Sequence, residues 1–420
     1  MHIDTGDTAW ILLCTALIFF MVPGLALFYG GLVRSKNVVT TMVQCFVSVA
    51  VVGVVWVVIG YTLVFGADRG GVIGSLAHTM LTDVGATPTS AAPAVPALAF
   101  MAFQMMFAVI TPALIAGAFA ERMTFRGYVM FTGLWSLVVY VPLAHWEWGG
   151  GFLGSHGLGA LDFAGGAVIH ESAGAAALAA AIYFGRRKKP VTRPYNVPMV
   201  LLGAGILWFG WFGFNGGSAL SAGHVAVSAV VNTQLGASAG LIVWMIVDWA
   251  RGGKPSGVGI ATGAIAGLAA ITPAAGYVAP WAALVIGASA GLVCHLAVRL
   301  KKRLRYDDVL DVVGVHMVGG FIGVLLTGVF ASLAVNAAGA AGGWAQLGRQ
   351  SVLAVVALAY PFVMTMLLLW ITDHAVGLRV APGDEEKGLD LSQLLDPVSD
   401  GPTGPIPWRP CQATLGDPRL

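Results

Sequence analysis

The sequence is poor in charged residues. Only 10% of its 420 residues are Asp, Glu, Lys or Arg, whereas a soluble globular chain carries about 25%. So little charge cannot cover a water-facing surface, and 57% of the residues are hydrophobic. The composition therefore predicts an all-α polytopic membrane protein rather than two or three soluble domains. The formal net charge of +2 indicates no nucleic-acid partner.

Metal-binding and disulfide spacings are also lacking. The four cysteines are scattered and form no C-x-x-C pair: Cys14, Cys45, Cys294 and Cys411. The first three fall in apolar runs and are expected to be small buried residues. One loop carries His145, Glu147 and His156, but their spacing fits no standard metal motif. No nucleophile–base pair is visible either, so we predict no metal, no cofactor and no enzyme activity.

Long apolar runs dominate the rest of the chain. The N-terminus has no Lys or Arg, and its apolar run is too long for a cleaved signal, so it is predicted to be the first membrane helix. Eleven runs are long enough to span a bilayer: 9–33, 40–66, 97–120, 126–144, 164–184, 197–217, 224–250, 256–273, 278–299, 308–334 and 346–373. The sequence predicts a membrane domain over 1–376 and a polar cytoplasmic tail over 377–420, disordered after Asp390.

Basic residues fall almost entirely on alternate loops. With the N-terminus outside, the inner loops hold 16 Lys and Arg residues and the outer loops only Arg69 and Arg349. Because inner loops are enriched in Lys and Arg, this asymmetry predicts an N-out, C-in topology.

Two pairs of motifs recur five spans apart. LFYGG (27–31) ends the first span and GFNGG (213–217) ends the sixth, while runs from Asp162 to His170 and from Asp311 to His316 open the fifth and tenth. Because five is odd, the two copies have opposite orientations. This predicts an inverted 5+5 repeat with the eleventh helix outside it, and a working site between the repeats.

The two histidines are the main candidates for that site. On a helix, His170 lies about 12 Å along the axis from Asp162, near the middle of a hydrocarbon layer about 30 Å thick. An ionisable ring at this depth marks a functional site. His316 approaches from the opposite face, so the imidazoles can meet, share a proton, and either bind a small polar molecule or relay a proton. Two histidines alone are one ligand short of a metal site.

Acids lie close to both histidines. Asp162 and Asp311 are predicted to cap the helices that follow them, and Asp162 can also supply negative field to an outer cation vestibule. Glu171 points about 100° away from His170, toward a seam between helices or subunits, and the sequence gives it no function.

Aromatic residues recur at helical spacing beside these runs. Phe103 and Phe107 share one face of the third span. The sixth span carries Trp208, Trp211 and Phe214, followed by Ser218, and Trp148 lies in an outer loop. Such stripes are typical of core packing or an interface belt, but aromatic faces also bind cations.

Together these stretches resemble the Amt/Rh ammonium transporter family. The matching segments are FFMVPGLALFYGGLVRSKN (19–37), LIAGAFAERMTF (114–125), SHGLGALDFAGGAVIH (155–170), WFGFNGGSA (211–219), AITPAAGYV (270–278), DVVGVHMVGG (311–320) and the tail over 377–390. The resemblance implies a cell-membrane homotrimer with one pore per subunit. It also implies a PII-type regulator on the cytoplasmic face, although the chain after Asp390 departs from the family tail.

The resemblance also assigns roles to residues. It implies an outer ammonium site formed by Trp148, Phe103, Phe107 and Ser218 and supported by Asp162. Phe107 and Phe214 would form the pore gate, and His170, His316 and Trp211 would line the pore. Glu171 stands where the family pattern has a non-acidic residue.

The implied mechanism depends on the proton of ammonium. An apolar pore excludes a bare cation, but ammonium can give up its proton and cross as ammonia, whereas potassium cannot. Three alternatives stand beside this one. A potassium-type channel would need a TVGYG-like filter, which the sequence lacks. A membrane ammonium sensor of the same fold would carry a signalling domain after the last helix. A membrane enzyme would need catalytic groups that are not visible.

Overall fold

The protein is almost entirely helical. The structure, a computed structural model, describes residues 2–189 and 193–394. In this part ten helices are long and apolar enough to cross a membrane, and α8 is a shorter apolar helix. They are α1 (Thr5–Leu32), α2 (Ser35–Phe65), α3 (Ala97–Phe119), α4 (Phe125–Trp148), α5 (Gly166–Phe184), α6 (Val197–Gly217), α7 (His224–Gly252), α8 (Gly257–Ile271), α9 (Pro280–Leu304), α10 (Val313–Phe330) and α11 (Trp344–Val376). Each overlaps one predicted apolar run, and the all-helical membrane class is confirmed.

Short elements lie at both ends of this bundle. Strands β1 (Asp68–Arg69) and β2 (Ile73–Gly74) pair antiparallel after α2, and Thr79–Leu81 forms a single 3-10 turn. Two short helices, α12 (Pro382–Lys387) and α13 (Leu389–Ser392), follow α11. The disorder predicted after Asp390 falls mostly on residues 395–420, which lie outside the described residues.

Several membrane helices contain a π-helical turn. These turns span Trp56–Gly60 in α2, Ser136–Tyr140 in α4, Gly166–Glu171 in α5 and Val313–Met317 in α10. A π turn inserts an extra residue per turn and redirects side chains, and such turns concentrate at functional sites. The turns in α5 and α10 are the ones that carry His170 and His316.

Helices α5 and α10 cross at these two turns through a reciprocal pair of glycines. Gly174 stands four residues after His170, and Gly320 stands four after His316. A Cβ on Gly174 would lie 2.3 Å from the backbone nitrogen of Met317, and a Cβ on Gly320 would lie 2.6 Å from the carbonyl oxygen of Gly166. Because small residues let membrane helices approach this closely, the glycines bring the two histidine-bearing turns into contact.

Ion pairs join the loops at one end of the bundle, which we call the basic end. Glu121, after α3, pairs with Arg34 at 2.9 Å and with Arg187 at 3.0 Å. Arg187 also pairs with Asp307 at 2.6 Å. Burial alone would raise the pKa of Glu121, but its bonds to Arg34 and Arg187 hold that pKa below its ordinary value.

The start of the tail packs against the basic end. The Asp390 carboxylate accepts the backbone N–H groups of Val39 at 3.1 Å and Thr40 at 2.7 Å, in the first turns of α2. The Glu385 carboxylate accepts the backbone N–H of Lys188 at 2.8 Å. The chain through residue 394 is thus docked on the loops that carry most of the basic residues.

Candidate functional site

Two imidazole rings from the two halves of the chain meet in the centre of the bundle. The Nδ1 atoms of His170 and His316 lie 3.3 Å apart, and the rings are nearly parallel, at 22° with centroids 5.2 Å apart. Both residues are buried. Since one Nδ1 must donate and the other accept, the Nε2 atoms are free to take opposite roles. Nε2 of His170 has no hydrogen-bond partner among the described residues.

Asp162 fixes the start of the helix that carries His170. Its carboxylate accepts four backbone N–H groups, from Gly165 at 2.8 Å, Gly166 at 2.6 Å, Ala167 at 2.8 Å and Val168 at 3.0 Å. These are the donors that an isolated helix start leaves unsatisfied. Gly165 has a φ of 104°, in the left-handed region where a side chain is strained. The carboxylate is fully used by the backbone, so the capping role predicted for Asp162 is what this geometry shows.

The cap of the second histidine helix is Asp308, and the predicted cap Asp311 is wrong. Asp308 accepts the backbone N–H of Val313 at 2.8 Å, whereas the Asp311 carboxylate bonds to Nζ of Lys301 on α9. Asp308 stands eight residues before His316, as Asp162 stands eight before His170. The two halves therefore have the same eight-residue spacing from capping aspartate to histidine. The sequence-based assignment of Asp311 as the cap does not have this spacing.

A stack of aromatic rings covers the histidine pair. Phe107 and Phe214 have ring centroids 4.5 Å apart at 43°, and the Phe214 ring stacks on His170 at 5.9 Å and 26°. Phe103 lies behind Phe107 at 4.9 Å and is fully buried. The two phenylalanines predicted to form a gate are thus in contact, directly beside the first histidine.

Trp148 and Ser218 each contact one of the two stacked phenylalanines. The Trp148 ring lies 6.2 Å from that of Phe107, and its Nε1–H donates to the carbonyl oxygen of Asp162 at 2.8 Å. The Ser218 hydroxyl donates to the carbonyl oxygen of Phe214 at 2.9 Å, which leaves the lone pairs of its oxygen for a donor. Both side chains are half-buried. Trp148 thus lies against Phe107, and Ser218 lies against Phe214.

A narrow cavity runs beneath the stack. Its volume is about 20 Å³, and since a single water needs roughly 10–15 Å³, it admits one small molecule at a time. Trp211 stacks on His170 at 5.2 Å and 27° and forms part of the wall. The lining is almost wholly apolar apart from the histidines: Met21, Leu25, Phe28, Tyr29, Ile110, Leu114, His170, Leu207, Trp211, Phe214, Thr262, Ile265, Leu310, Val315 and His316.

The sequence reasoning missed the contribution of α1 to this lining. Met21, Leu25, Phe28 and Tyr29 stand on one face of α1 at spacings of three and four residues. The Tyr29 hydroxyl donates to the carbonyl oxygen of Leu114 at 2.9 Å. The helical spacing of large side chains before LFYGG was the available signal, but the same spacing is typical of ordinary core packing.

Residues 2–189 and 193–394 contain no group of three or more His, Cys, Asp or Glu side chains placed to hold a metal ion. His145 instead bonds the carbonyl oxygen of Val64 at 2.7 Å and the carboxylate of Asp68 at 2.9 Å. Cys14, Cys45 and Cys294 are buried and free, and Cys411 lies outside the described residues.

A bundle of apolar, membrane-length helices with a narrow apolar cavity in its core defines a multi-pass membrane protein. The profile of the Ammonium Transporter Family matches residues 9–397. The chain is 47% identical to an ammonium transporter of Bacillus subtilis over 92% of this chain and 96% of that protein. It is 46% identical to ammonium transporter Amt1 of Archaeoglobus fulgidus over 92% and 97%. The chain therefore belongs to the ammonium transporter family.

Solved structures agree with this membership. Mep2 of Saccharomyces cerevisiae has a TM-score of 0.85 and 38% identity, covering 91% of this chain and 88% of Mep2. A structure described as a sensor Amt protein has a TM-score of 0.85 and 29% identity, covering 92% and 98%. The predicted family and the predicted helical membrane fold are confirmed. The relatives also confirm the predictions that the chain is an ammonium transporter rather than an enzyme and that it lies in a cell membrane.

Proposed function

We propose that this protein takes up ammonium at the vestibule formed by Trp148, Phe107 and Ser218, removes its proton, and conducts ammonia past His170 and His316. The observation that carries the proposal is the cavity itself. Its volume of about 20 Å³ leaves room for one small molecule at a time, and it offers that molecule two imidazoles in an otherwise apolar lining. With the N-out orientation, the vestibule faces the exterior.

The vestibule suits a small cation. The aromatic faces of Trp148 and Phe107 attract a cation by about 0.5–2 kcal/mol each, and the hydroxyl oxygen of Ser218 accepts one N–H bond. The carboxylate of Asp162 is buried below and fully bonded, so it contributes field rather than contact. Phe103 supports the ring of Phe107 from behind.

The apolar lining supports selection by charge. Moving an unpaired cation into it costs several kcal/mol or more, and the contact between Phe107 and Phe214 adds two apolar rings at its entrance. Ammonium avoids this cost because it can leave its proton behind, whereas potassium cannot.

The histidine pair supports passage of ammonia. Ammonia both donates and accepts hydrogen bonds, and a pair that shares one proton offers one outward nitrogen of each kind. Ammonia can thus replace its hydrogen bonds to water with hydrogen bonds to the imidazoles, and it does not cross a stretch that lacks hydrogen-bond partners. Trp211 holds the His170 ring in place, and its own Nε1–H is satisfied by Thr272 at 2.9 Å.

We infer a homotrimer in which each subunit has its own pore, and a PII-type regulator that docks at the basic end. The apolar outer surface of the bundle is suited to contact with lipid and with neighbouring subunits, which supports the trimer. The docked tail forms a defined surface beside Lys188 and Glu385, which supports the regulator. Mass measurement of the detergent-solubilised protein tests the trimer. Co-elution with a PII-type protein tests the regulator.

A sensor or transceptor is the second candidate function, favoured by the sensor Amt structure at a TM-score of 0.85. Transport separates the two, because a sensor that only binds ammonium would produce no flux in vesicles.

The test is ammonium uptake and ion current in vesicles reconstituted with wild-type protein or with a variant carrying both His170→Ala and His316→Ala. We expect the double change to abolish uptake or to admit potassium. His295→Ala is the matched control, because His295 is also buried in a membrane helix but bonds Asp248 at 3.1 Å and does not line the cavity. Unchanged flux and selectivity in the double variant would remove the histidines from the mechanism.

A further inference from the structure

Glu171 is a buried acid with no structural partner. It follows His170 directly, is 0% exposed, and neither of its carboxyl oxygens has a hydrogen-bond partner among the described residues. Leaving an unpaired carboxylate in such a site costs several kcal/mol, so a buried acid without partners holds a proton.

Packing does not require an acid at this position. The equivalent residue of the other half is Met317, which follows His316. Each of the two lies beneath the glycine of the opposite helix: Gly174 over Met317 and Gly320 over Glu171, where a Cβ on Gly320 would lie 3.2 Å from Cβ of Glu171. The apolar side chain of Met317 fills this site in one half, so packing at the equivalent site does not explain why Glu171 carries a carboxyl group.

A second unsatisfied acid lies near the same cap. Glu147 precedes Trp148 and is buried, its carboxyl accepts the backbone N–H of Asp162, and its Oε2 has no partner in the described part of the chain. Glu147 and Glu171 both interact electrostatically with the Asp162 carboxyl. The buried hydroxyl of Tyr140 also lacks a partner there and also interacts with Asp162. Tyr277 interacts electrostatically with Glu147 and Asp162.

These groups differ in how well they can hold a negative charge. Burial raises the pKa of Asp162, but its four backbone N–H donors act against that rise, so Asp162 is the member best able to stay ionised. Neighbouring buried acids cannot all ionise together. Glu147 and Glu171, which lack such a set of donors, are therefore the members of this group that hold protons.

We propose that Glu147 and Glu171 are proton-holding groups for ammonium transport, which carry the released proton beside the ammonia cavity rather than through it. The proposal rests on the proposed function. Glu147 adjoins the vestibule residue Trp148 and Glu171 adjoins His170, so one acid belongs to the proposed entry and the other to the histidine pair. Glu171 is absent from the cavity lining, which keeps the proton apart from ammonia.

The transfer balances as a simple acid–base step. Glu171 passes its proton to water on the inner side of the histidine pair, Glu147 then passes its own proton through water to Glu171, and the carboxylate left on Glu147 takes the next one. The N–H bond of ammonium breaks with its electron pair left on nitrogen, and the proton forms an O–H bond on the carboxylate. Since the described residues offer no three-ligand metal cluster, a proton rather than a bound metal cation is the species this group suits.

The experiment uses vesicles containing wild-type protein, Glu171→Gln, Glu171→Met, Glu147→Gln or the control Met317→Gln. Glu171→Met copies the residue that the other half already accommodates, so it guards against misfolding. Two signals are measured: the ammonium-evoked current, and ammonia influx followed by internal alkalinisation. Because a positioned proton carrier contributes a large rate factor, we expect both Glu171 variants and Glu147→Gln to lower the current at least about tenfold while ammonia influx stays within about twofold. Met317→Gln should leave both signals unchanged.

Two results would overturn the proposal: currents that equal wild type in the Glu171 variants, or current and influx that fall in the same proportion, as expected of damaged packing. An infrared spectrum of the protein gives a readout independent of transport. The carbonyl stretch of a protonated carboxylic acid should be present in wild type and diminished in Glu171→Gln, and a spectrum that shows Glu171 ionised would contradict the proposal. If wild-type protein gives neither current nor influx while this stretch is present, the proposed function fails instead and takes the transport role of Glu171 with it.

Discussion

The imidazole rings of His170 and His316 lie face to face with their Nδ1 atoms 3.3 Å apart. Each ring belongs to a π turn, each turn follows a capped helix start, and each cap is an aspartate eight residues earlier. The site is therefore built twice, once in each half, and assembled where the halves cross. In the proposed mechanism, the apolar residues around this contact exclude a charged cation.

The contact between Phe107 and Phe214 should exclude both water and ions. Replacing both with alanine removes the stack above His170, so we expect potassium to leak through vesicles that contain the double variant. The change also removes buried aromatic packing, which typically costs about 3–5 kcal/mol per ring. Potassium flux after size-exclusion selection of folded protein is the measurement. Phe209→Ala is the matched control, because Phe209 lies on the same helix but is 54% exposed. A double variant with the same potassium flux as wild type would show that the two rings are not the barrier to ions.

Trp148 should set the affinity of the vestibule. Loss of a cation–π contact worth about 0.5–2 kcal/mol raises the half-saturating ammonium concentration roughly 2- to 30-fold. We expect Trp148→Leu to show this rise with little change in the maximal rate. Trp281→Leu, at an exposed tryptophan of α9, serves as control. A Trp148 variant with unaltered half-saturation would place ammonium recruitment elsewhere.

Gly320 should tolerate no side chain. A Cβ there would lie 2.6 Å from the Gly166 carbonyl oxygen, and overpacking of this kind costs about 1–3 kcal/mol. We expect Gly320→Ala to lower the thermal stability of the detergent-solubilised protein and to reduce transport. Gly205→Ala on α6 is the comparison, because a Cβ there meets nothing within 4 Å. Equal stability of the two variants would argue against close contact of α5 and α10.

The basic end should loosen in acid. The pKa of Glu121 is held below its ordinary value near 4.5, so its ion pairs contribute stability that is fully present above that value and is lost as the pH falls through the lower folded-state value. The hydrogen-exchange protection of the loops around Arg34 and Arg187, corrected for the intrinsic exchange rate at each pH, should decrease as the pH drops below about 4.5. Glu121→Gln should remove that dependence, and loops equally protected in wild type at all pH values would contradict it.

Much of the architecture could be predicted because membrane helices need long apolar runs, which the sequence shows directly. The positions of basic residues and of repeated motifs can likewise be read from the sequence alone, and they predict orientation and the internal repeat. The histidine pair could be predicted because a histidine deep in each of two inverted runs has few structural explanations. The aromatic residues could be placed on helix faces, but only the resemblance gave them roles.

Contacts between distant segments were less accessible. Three aspartates precede α10: Asp307, Asp308 and Asp311. The sequence could not show that Asp311 bonds Lys301 of α9 while Asp308 caps the helix. The π turns were missed because hydrophobic spacing does not report one extra residue per turn. The role of α1 in the lining was missed for a similar reason, since Tyr29 looks like a core residue until α3 is seen to pack against it.

The most direct test of the account is potassium competition against ammonium uptake in vesicles containing wild-type protein. If only cargo that sheds its proton crosses the apolar cavity, ammonium uptake should persist in a large excess of potassium, with no potassium accumulating inside. Potassium that crosses through the protein, in proportion to its concentration, would contradict the claim that charge is left at the vestibule.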